Sequence, residues 1–282
     1  MIADLHRTGT TVKPLQGRSH FSRLSTFLRE QSVRIFIVIP TYNEVENLHL
    51  LVDAILELAI PDLGILIVDD DSPDGTGRLA DELASQHLGV VRVLHRQGDK
   101  GFRKSLVAGL SEAMNLGAEI ILQMDADFSH PPQYIASLLD CVQGEADVAI
   151  GSRYVPGGST AADWHPLRRA LSRFANQVYV RSFLRMPICD ATGGFRAYKR
   201  SVLTGLGMAE IRSNGYSFQV ESIYRCFCLG YRIEEVPIHF PDRIRGTSKM
   251  NWQIALEAAW RVLLLRWRYR SLRQKSQTDV SA

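Results

Sequence analysis

Short apolar segments alternate with segments of helical periodicity through the first half of this chain. Residues 35–39 and 64–68 are apolar and β-prone, whereas the apolar residues between them recur every three or four positions. Such alternation predicts an α/β fold, in which a mainly parallel central sheet is flanked by helices. Asn43 and Glu46 have the spacing of a capping pair for the first helix. The strands are predicted at residues 35–39, 64–68, 90–94, 119–124 and 147–150, and the helices at 48–59, 79–84, 106–114 and after Pro131-Pro132.

The second half of the chain is less regular and ends in a long amphipathic helix. A turn is predicted at 192–194, a helix at 218–229 and a strand at 231–236. The last helix carries two apolar stripes, so it has two surfaces that must be covered. The first stripe consists of Trp252, Leu256, Trp260, Leu263 and Trp267, and the second of Ile254, Ala258, Val262, Leu265 and Tyr269.

The composition is typical of one globular domain with polar ends. The chain has 282 residues, 45% of them hydrophobic, and its net charge of +3 is too small to indicate a nucleic-acid partner. Its four cysteines lack zinc-ligand spacing and are expected to be reduced thiols in a cytosolic protein. No segment is apolar enough to span a bilayer, so we expect a soluble or peripheral protein. We predict a flexible arm over 1–32, a globular domain over 33–250, the amphipathic helix over 251–270 and a polar tail over 271–282.

Three of the predicted strands are each followed by a loop that begins with polar residues. Residues 43–44 follow the first strand, residues 69–71 follow the second, and Asp125 and Asp127 follow the strand at 119–124. Because the carboxyl ends of parallel strands meet at one edge of a sheet, where ligands bind, we expect these loops to converge. An isolated Asp-x-Asp is more often a solvated turn. Directly after a buried strand it favours a site for a hard cation, Mg²⁺ or Mn²⁺.

A metal-type Asp-x-Asp at this edge suits a nucleoside diphosphate bound through a cation, which is nucleotide-sugar chemistry. Residues 75–80 formally match a dinucleotide fingerprint, which would indicate a nicotinamide-dependent enzyme. We reject that interpretation because the fingerprint needs its first glycine directly after the strand. Here residues 69–71 intervene, and their carboxylates would repel a pyrophosphate. The chain also lacks a Gly-Lys-Ser/Thr phosphate loop, so a P-loop kinase is unsupported.

Five motifs between about residues 33 and 251 contain these polar residues and their counterparts in the second half. They are Pro40-Thr41-Tyr42-Asn43-Glu44, Asp69-Asp70-Asp71-Ser72-Pro73-Asp74-Gly75-Thr76, Asp125-Ala126-Asp127-Phe128-Ser129-His130-Pro131-Pro132, Gly151-Ser152-Arg153-Tyr154, and Asp242-Arg243 with Lys249. In this order they resemble the dolichol-phosphate (polyprenol-phosphate) mannosyltransferases of glycosyltransferase family 2. The resemblance implies a Rossmann-like GT-A fold and an inverting transfer of mannose from GDP-mannose to a polyprenyl (dolichyl) phosphate, with Mg²⁺ or Mn²⁺ as cofactor.

The resemblance also implies roles for individual residues. Asp125, Asp127 and Ser129 would bind the metal, and Ser129 stands where some family members have a metal-ligating Gln. Asp125, Asp127 and Arg153 would be the catalytic residues. The implied donor-binding residues are Pro40, Tyr42, Asn43, Glu44, Ile67, Asp69, Asp125, Ala126, Asp127, Arg153, Arg243 and Lys249.

Basic residues are implied on both sides of the reacting sugar. Arg153, Arg168 and Ser172 would hold the acceptor phosphate, and the last two are four residues apart, hence on one face of a helix. Arg243 and Lys249 match a mobile loop that covers the donor. Since a phosphate monoester is already an anion near neutral pH, the nucleophile needs no strong general base. We therefore assign no catalytic histidine, and we expect His130 and the other histidines to be structural.

Two other functions remain open at this stage. Asp-x-Asp binds diphosphate and metal but identifies neither base nor sugar, so a related lipid-phosphate transferase that uses UDP-glucose is the first alternative. A nucleotide-sugar-binding subunit without turnover is the second, although the complete set of acidic and basic residues argues against it. Residues 100–104 depart from the family, because larger side chains follow Gly101 than we would expect.

The tryptophan stripe of the last helix suggests how the chain reaches a lipid acceptor. Tryptophan prefers the membrane interface, and arginine meets anionic headgroups. We therefore expect a protein that lies peripherally on the cytoplasmic face of a membrane, with residues 251–270 as an interfacial anchor that does not span. The other interpretation is that both faces of the helix are covered by protein. A membrane-anchoring subunit is a further possible partner.

Overall fold

The computed structural model describes residues 34–162, 164–241 and 252–272. The predicted arm over 1–32 and most of the predicted tail over 271–282 lie outside these ranges, so their boundaries stay predictions. Arg243 and Lys249 also lie outside the described residues.

The centre of the structure is a seven-stranded sheet. Its strands are β1 Ile35–Thr41, β2 Leu63–Asp69, β3 Val91–His95, β4 Ile120–Gln123, β5 Val148–Ser152, β7 Arg196–Lys199 and β8 Ile233–Pro237, while β6 Ser159–Thr160 and β9 His239–Phe240 pair separately. The order is β3-β2-β1-β4-β7-β5-β8, and all of these strands run in one direction except β7. The prediction of a mainly parallel sheet is confirmed.

Helices cover both faces of this sheet. In the described ranges the α-helices are α1 Val45–Leu56, α2 Thr76–Gln86, α3 Phe102–Asn115, α4 Ile135–Gln143, α5 Pro166–Arg173, α6 Arg181–Leu184, α7 Arg200–Leu206, α8 Gly215–Cys228 and α9 Trp252–Arg268, with a π-helical segment, Phe174–Val180, between α5 and α6. On one face, α1, α2 and α4 pack against side chains such as Ile37 and Ile65; on the other, α3, α8 and α9 pack with Val38 and Leu66. Both faces are buried at the centre of the sheet, which explains why β1 and β2 are almost entirely apolar.

Strand β7 was not predicted, and its buried arginine explains why. Arg196 is fully buried, a position that sequence patterns assign to apolar residues. Its guanidinium donates hydrogen bonds to Ser222 Oγ at 2.9 Å and to the carbonyl oxygens of Ala191 and Gln219 at 2.8 and 3.0 Å. These acceptors belong to a loop and to α8, so the burial of Arg196 depends on the tertiary fold.

The last helix, α9, packs on α8 through its second predicted stripe. Val262, Leu265 and Tyr269 are buried, whereas Trp260 and Trp267 are 64% and 69% exposed. Leu263 of the first stripe is half-buried. Among the described side chains, the second stripe therefore lies against the domain, and the two tryptophans of the first stripe face outward.

Glu221 on α8 connects this helix to the domain. Its carboxylate accepts hydrogen bonds from Tyr269 Oη at 2.7 Å, from Arg268 Nη1 at 3.1 Å and from the Ser213 backbone N–H at 2.8 Å. Tyr269 and Arg268 donate to one oxygen and Ser213 to the other. Both carboxylate oxygens of Glu221 are therefore needed as acceptors.

We expect Glu221→Gln to lower the free energy of unfolding by about 2 kcal/mol, because either orientation of the amide turns its NH₂ group toward a donor. Urea unfolding followed by tryptophan fluorescence measures this. The matched control is Glu82→Gln, an exposed glutamate on α2, which should change the stability by less than about 0.5 kcal/mol. Equal stability of the two variants would contradict the assigned role of Glu221.

Candidate active site

The loops that follow β1, β2, β4 and β5 lie at one edge of the sheet, because these four strands run in the same direction. Asp69 is the last residue of β2. The other predicted site residues lie in the loops themselves, namely 42–44, 70–71, Asp125, Asp127 and Arg153. The structure thus brings together at one edge the acidic loops and the basic residue that the sequence predicts there.

The first two loops are joined by hydrogen bonds to the backbone. The N–H groups of residues 43, 44 and 45 donate to Ser72 Oγ, Thr76 Oγ1 and Asp74 Oδ2, at 3.1, 2.9 and 3.2 Å. The predicted capping pair of Asn43 and Glu46 is wrong, because the N-cap residue of α1 is Glu44 and its side chain makes no capping hydrogen bond. The first N–H group of the helix, that of Val45, is instead satisfied from the neighbouring loop. Asn43 itself adopts a left-handed conformation with φ 62°.

Asp69 lies at the end of β2 and is almost fully buried. Its carboxylate accepts hydrogen bonds from the Ser72 hydroxyl at 2.6 Å and from the Ser72 backbone N–H at 3.2 Å. A Cβ atom added at Gly77 would lie 2.8 Å from Asp69 Oδ2, so a glycine is needed there. The glycine accommodates a carboxylate, which supports the rejection of a dinucleotide fingerprint.

The remaining predicted donor-binding residues around β1 and β2 differ in exposure. Tyr42 is partly exposed, and Lys100 Nζ lies 5.3 Å from the centre of its ring, which places part of the unusual 100–104 segment beside this residue. Pro40 lies in β1 opposite Val68. Ile67 is fully buried in the apolar core, so the structure does not bring its side chain to the exposed edge.

The Asp-x-Asp loop is a tight turn whose second carboxylate is oriented by Ser129. The Ser129 hydroxyl and backbone N–H both donate to Asp127 Oδ1, at 2.6 and 3.1 Å. Ala126 and Asp127 are buried, Asp125 is half-buried, and Phe128 has φ 62°. Ser129 thus lies beside Asp127 as predicted, but its hydroxyl is used to orient the carboxylate. Its role as a metal ligand stays a prediction.

His130 ends this loop and is buried. Its Nδ1 accepts a hydrogen bond from the Asp125 backbone N–H at 2.9 Å. The ring stacks on Phe195 with centroids 5.1 Å apart and meets Phe240 edge-on at 5.8 Å. Burial lowers the pKa of His130 to about 4, although the charge of Asp127 opposes this shift. The imidazole is therefore neutral at physiological pH.

Arg153 follows β5 and forms a buried ion pair with Asp190. Its Nε and Nη2 donate to the Asp190 carboxylate at 2.7 and 2.6 Å, and Nη2 also donates to Thr192 Oγ1 at 2.8 Å. Burial alone would raise the pKa of Asp190, but the charge and hydrogen bonds of Arg153 outweigh burial and lower it. The guanidinium also lies 5.0 Å from the Phe240 ring centre. Arg153 is thus held in one position at the strand end.

The predicted acceptor residues lie on α5, close to the loop that contains Arg153. Ser172 Oγ is 2.6 Å from the Tyr154 hydroxyl oxygen, which connects α5 to the residue after Arg153. Arg168 is on the same helix one turn earlier, and its side chain lies outside the described part of the structure. Ser172 is therefore near Arg153, while its contact with the acceptor phosphate and the position of the Arg168 guanidinium stay predictions.

A comparison with protein families identifies the chain. The model of glycosyl transferase family 2 matches residues 36–207, which include all four of the loops described above. The chain belongs to glycosyl transferase family 2.

Curated relatives of this family 2 glycosyltransferase extend the match. It is 44% identical to the polyprenol monophosphomannose synthase of Mycolicibacterium smegmatis, over 81% of this chain and 85% of that protein. It is 41% identical to the undecaprenyl-phosphate mannosyltransferase of Micrococcus luteus, over 83% and 94%. The dolichol-phosphate mannosyltransferase of Pyrococcus furiosus is 33% identical over 88% of this chain and 66% of its own length.

Solved structures of more distant glycosyltransferases share the fold. Glucosyl-3-phosphoglycerate synthase of Mycobacterium tuberculosis, in complex with Mn²⁺, UDP-glucose and phosphoglyceric acid, has a TM-score of 0.59 at 18% identity and covers 94% of this chain and 85% of its own. A mannosyltransferase of Pyrobaculum calidifontis, in complex with GDP-mannose and Mn²⁺, has a TM-score of 0.56 at 17% identity, over 90% and 71%. The predicted GT-A fold is confirmed.

Several residues at the site of this glycosyltransferase were not predicted from the sequence, and the contacts of one predicted structural residue were not foreseen. Asp190 and Thr192 belong to a segment for which only a glycine turn was predicted, and Phe240 was not singled out. His130 was expected to be structural only. The available signal was the pattern Asp190-x-Thr192 directly before two glycines, since polar residues beside a tight turn often serve a site.

Proposed function

We propose that this glycosyltransferase transfers mannose from GDP-mannose to a polyprenyl phosphate, with inversion at the sugar. The observation that carries the proposal is the agreement of three curated relatives, which are named for polyprenol monophosphomannose synthesis and for undecaprenyl-phosphate and dolichol-phosphate mannosyl transfer. The convergence of acidic loops and a fixed arginine at one sheet edge supports it, because the reaction needs a diphosphate site next to a phosphate site.

Asp125 and Asp127 fit a hard divalent cation, Mg²⁺ or Mn²⁺. No three His, Cys, Asp or Glu side chains in the described ranges cluster as a complete metal cage. Cations of this kind need only one or two carboxylates when water and substrate phosphate oxygens complete the shell. The two aspartates at this edge are such a donor set. When bound, the cation would stabilise the negative charge on the departing nucleoside diphosphate.

The chain's own residues would orient the two anionic substrates. Tyr42, Glu44 and Asp69 lie at the ends of β1 and β2, where they would contact the nucleoside. Arg153, held by Asp190, would attract the acceptor phosphate together with residues of α5, namely Arg168 and Ser172. Because the attacking phosphate oxygen is already anionic, charge compensation and orientation take the place of a general base. A buried, neutral His130 is consistent with that.

The donor is tested by incubating the purified chain with Mn²⁺, a short polyprenyl phosphate and one labelled nucleotide sugar at a time. We expect label from GDP-mannose to enter the lipid fraction at least about tenfold faster than label from UDP-glucose. Faster transfer from UDP-glucose would contradict the mannose assignment. Nucleotide-sugar binding without any transfer would identify the non-catalytic subunit instead.

We also propose that the chain lies peripherally on the cytoplasmic face of a membrane, where the polyprenyl tail of its acceptor is anchored. No helix in the described part of the chain is both long enough and apolar enough to cross a bilayer. Helix α9 exposes Trp260, Leu264 and Trp267, and Arg270 stacks 5.3 Å from the Trp267 ring centre. Tryptophan beside arginine suits the interface of an anionic bilayer.

Another exposed apolar stripe, separate from the two on α9, lies on the segment from α5 to α6. This segment contacts α9. The four residues of the stripe recur at helical spacing. Arg266 on α9 donates to the Phe183 carbonyl oxygen at 3.2 Å, so the two helical segments are neighbours. Exposed arginines such as Arg169 and Arg173 accompany the stripe. The exposed residues are Leu167, Leu171, Phe174 and Val178.

We expect Trp260→Ala with Trp267→Ala to weaken binding to anionic phosphatidylglycerol vesicles by about tenfold or more, because two interfacial side chains are lost. Co-sedimentation measures this, with circular dichroism as the check on folding. The matched control is Leu50→Ala with Leu88→Ala, two exposed leucines on and near other helices, which should bind like wild type. Unchanged binding by the folded tryptophan variant would contradict the interfacial role. Binding that requires an added membrane protein would assign anchoring to a separate subunit.

A further inference from the structure

The Asp-x-Asp turn is held at both of its ends by hydrogen bonds within its own loop. Ser129 donates two hydrogen bonds to the carboxylate of Asp127, and His130 Nδ1 accepts from the backbone N–H of Asp125. Between them Phe128 adopts a left-handed conformation, with φ 62°, which a side chain rarely takes unless its surroundings require it. The turn therefore depends on these hydrogen bonds for its shape.

The His130 ring is fixed by packing on three sides. Phe195 lies parallel to it, with an interplanar angle of 12°, and Phe240 meets it at 69°. A Cβ atom added at Gly194 would be 3.2 Å from the Cε1 atom of His130, so the backbone also approaches closely. A ring confined in this way keeps its Nδ1 atom directed at the Asp125 N–H.

The acceptor on His130 must be an unprotonated nitrogen, because a backbone N–H can only donate. This assigns the tautomer: Nδ1 carries the lone pair, and the proton is on Nε2. Phe240 also contacts the Arg153 guanidinium, so the same aromatic cluster touches both the acidic and the basic part of the edge.

We propose that His130 is a positioning residue, whose Nδ1 atom holds the Asp125 backbone so that the Asp125 and Asp127 carboxylates converge on one divalent cation. This inference rests on the cation site of the proposed function. The two parts of His130 then have different effects. Loss of the acceptor nitrogen lowers the affinity for the metal, whereas loss of the packed ring lowers the stability of the fold. Groups that orient metal ligands typically change metal affinity 10- to 100-fold when they are removed.

Two substitutions separate the acceptor from the ring. His130→Asn places its Oδ1 atom the same number of bonds from the backbone as Nδ1 of histidine. The variant can therefore still accept a hydrogen bond from the Asp125 backbone N–H, but it loses the aromatic stacking. His130→Phe keeps a ring between Phe195 and Phe240 but has no acceptor. The dissociation constant of Mn²⁺, measured by electron paramagnetic resonance in the presence of GDP, and the urea midpoint of unfolding are compared for both.

We expect His130→Phe to bind Mn²⁺ about tenfold or more weakly, and His130→Asn to stay within about threefold of wild type, although His130→Asn is the less stable of the two. If affinity followed stability instead, or if both variants bound like wild type, the positioning role would be overturned. Wild type that binds no Mn²⁺ would overturn both the cation site and this role. Wild type that binds Mn²⁺ but transfers no mannose would overturn the proposed reaction and leave the positioning role supported.

Discussion

Asp127→Asn is expected to lower kcat for mannosyl transfer by about 1000-fold. The variant keeps an oxygen that can accept from Ser129, so the turn should persist, but it removes a negative charge from the proposed cation site. Without that charge the diphosphate would face Asp125 and Asp69 with its own charge poorly compensated, and GDP should bind more weakly as well. Steady-state kinetics and calorimetry with GDP measure the two effects.

The matched control for this prediction is Asp53→Asn, a half-buried aspartate on α1 whose side chain is 44% exposed and pairs with His49. It should leave kcat and GDP affinity within about twofold, since an exposed pair with His49 contributes little. Near-normal turnover by Asp127→Asn would remove the metal site from the mechanism.

Arg153→Met is expected to lower kcat by about 100-fold or more, while the dissociation constant of GDP-mannose changes by less than about threefold. The proposed partner of Arg153 is the acceptor phosphate, so its loss should affect turnover more than donor binding. The same change leaves Asp190 buried without its cation, which should destabilise the fold by about 3–5 kcal/mol. Kinetics and urea unfolding are both needed to separate these effects.

The double variant Arg153→Met with Asp190→Asn provides that separation. Removing both charges avoids a buried unpaired carboxylate, so stability should recover toward wild type. Turnover should stay as low as in the single variant, because no cation is restored. Recovery of turnover together with stability would show that Arg153 acts only through folding. If Arg153→Met raised the GDP-mannose dissociation constant and left kcat unchanged, Arg153 would be reassigned to donor binding.

The edge of the sheet could be predicted from the sequence because its signals are local. An apolar run such as 64–68 ends in Asp69, and the same change occurs at Asp125, so strand and strand end are marked within a few residues. The structure extends this strand by one residue at each side, as Leu63–Asp69. Parallel alignment of the strands then follows from their alternation with helices.

The contacts that hold the site could not be predicted in the same way, because they join distant positions. Asp190 is 37 residues from Arg153, and the groups that satisfy the start of α1 are 29 to 32 residues away. Nothing in the sequence near Arg153 marks its partner. The buried strand that contains Arg196 depends on acceptors in another loop and helix, which no local pattern includes.

His130 shows a different limit. Its sequence position, three residues after Asp127, gives no metal-ligand spacing, and a buried histidine is often only part of the core. The hydrogen bond to the Asp125 backbone depends on the turn between them, including the left-handed Phe128. A role that acts through backbone geometry is visible only once the turn is known.

The proposed reaction is tested most directly by the product that the full chain forms from GDP-α-mannose and a short polyprenyl phosphate with Mn²⁺. Mass spectrometry and ¹H and ³¹P nuclear magnetic resonance would determine which atom carries the sugar and in which configuration. We predict a single mannosyl phosphodiester of the polyprenol with inverted, β configuration, and no product when polyprenol replaces its phosphate. An α-linked product, mannose on a hydroxyl group, or no lipid-linked mannose at all would contradict the account.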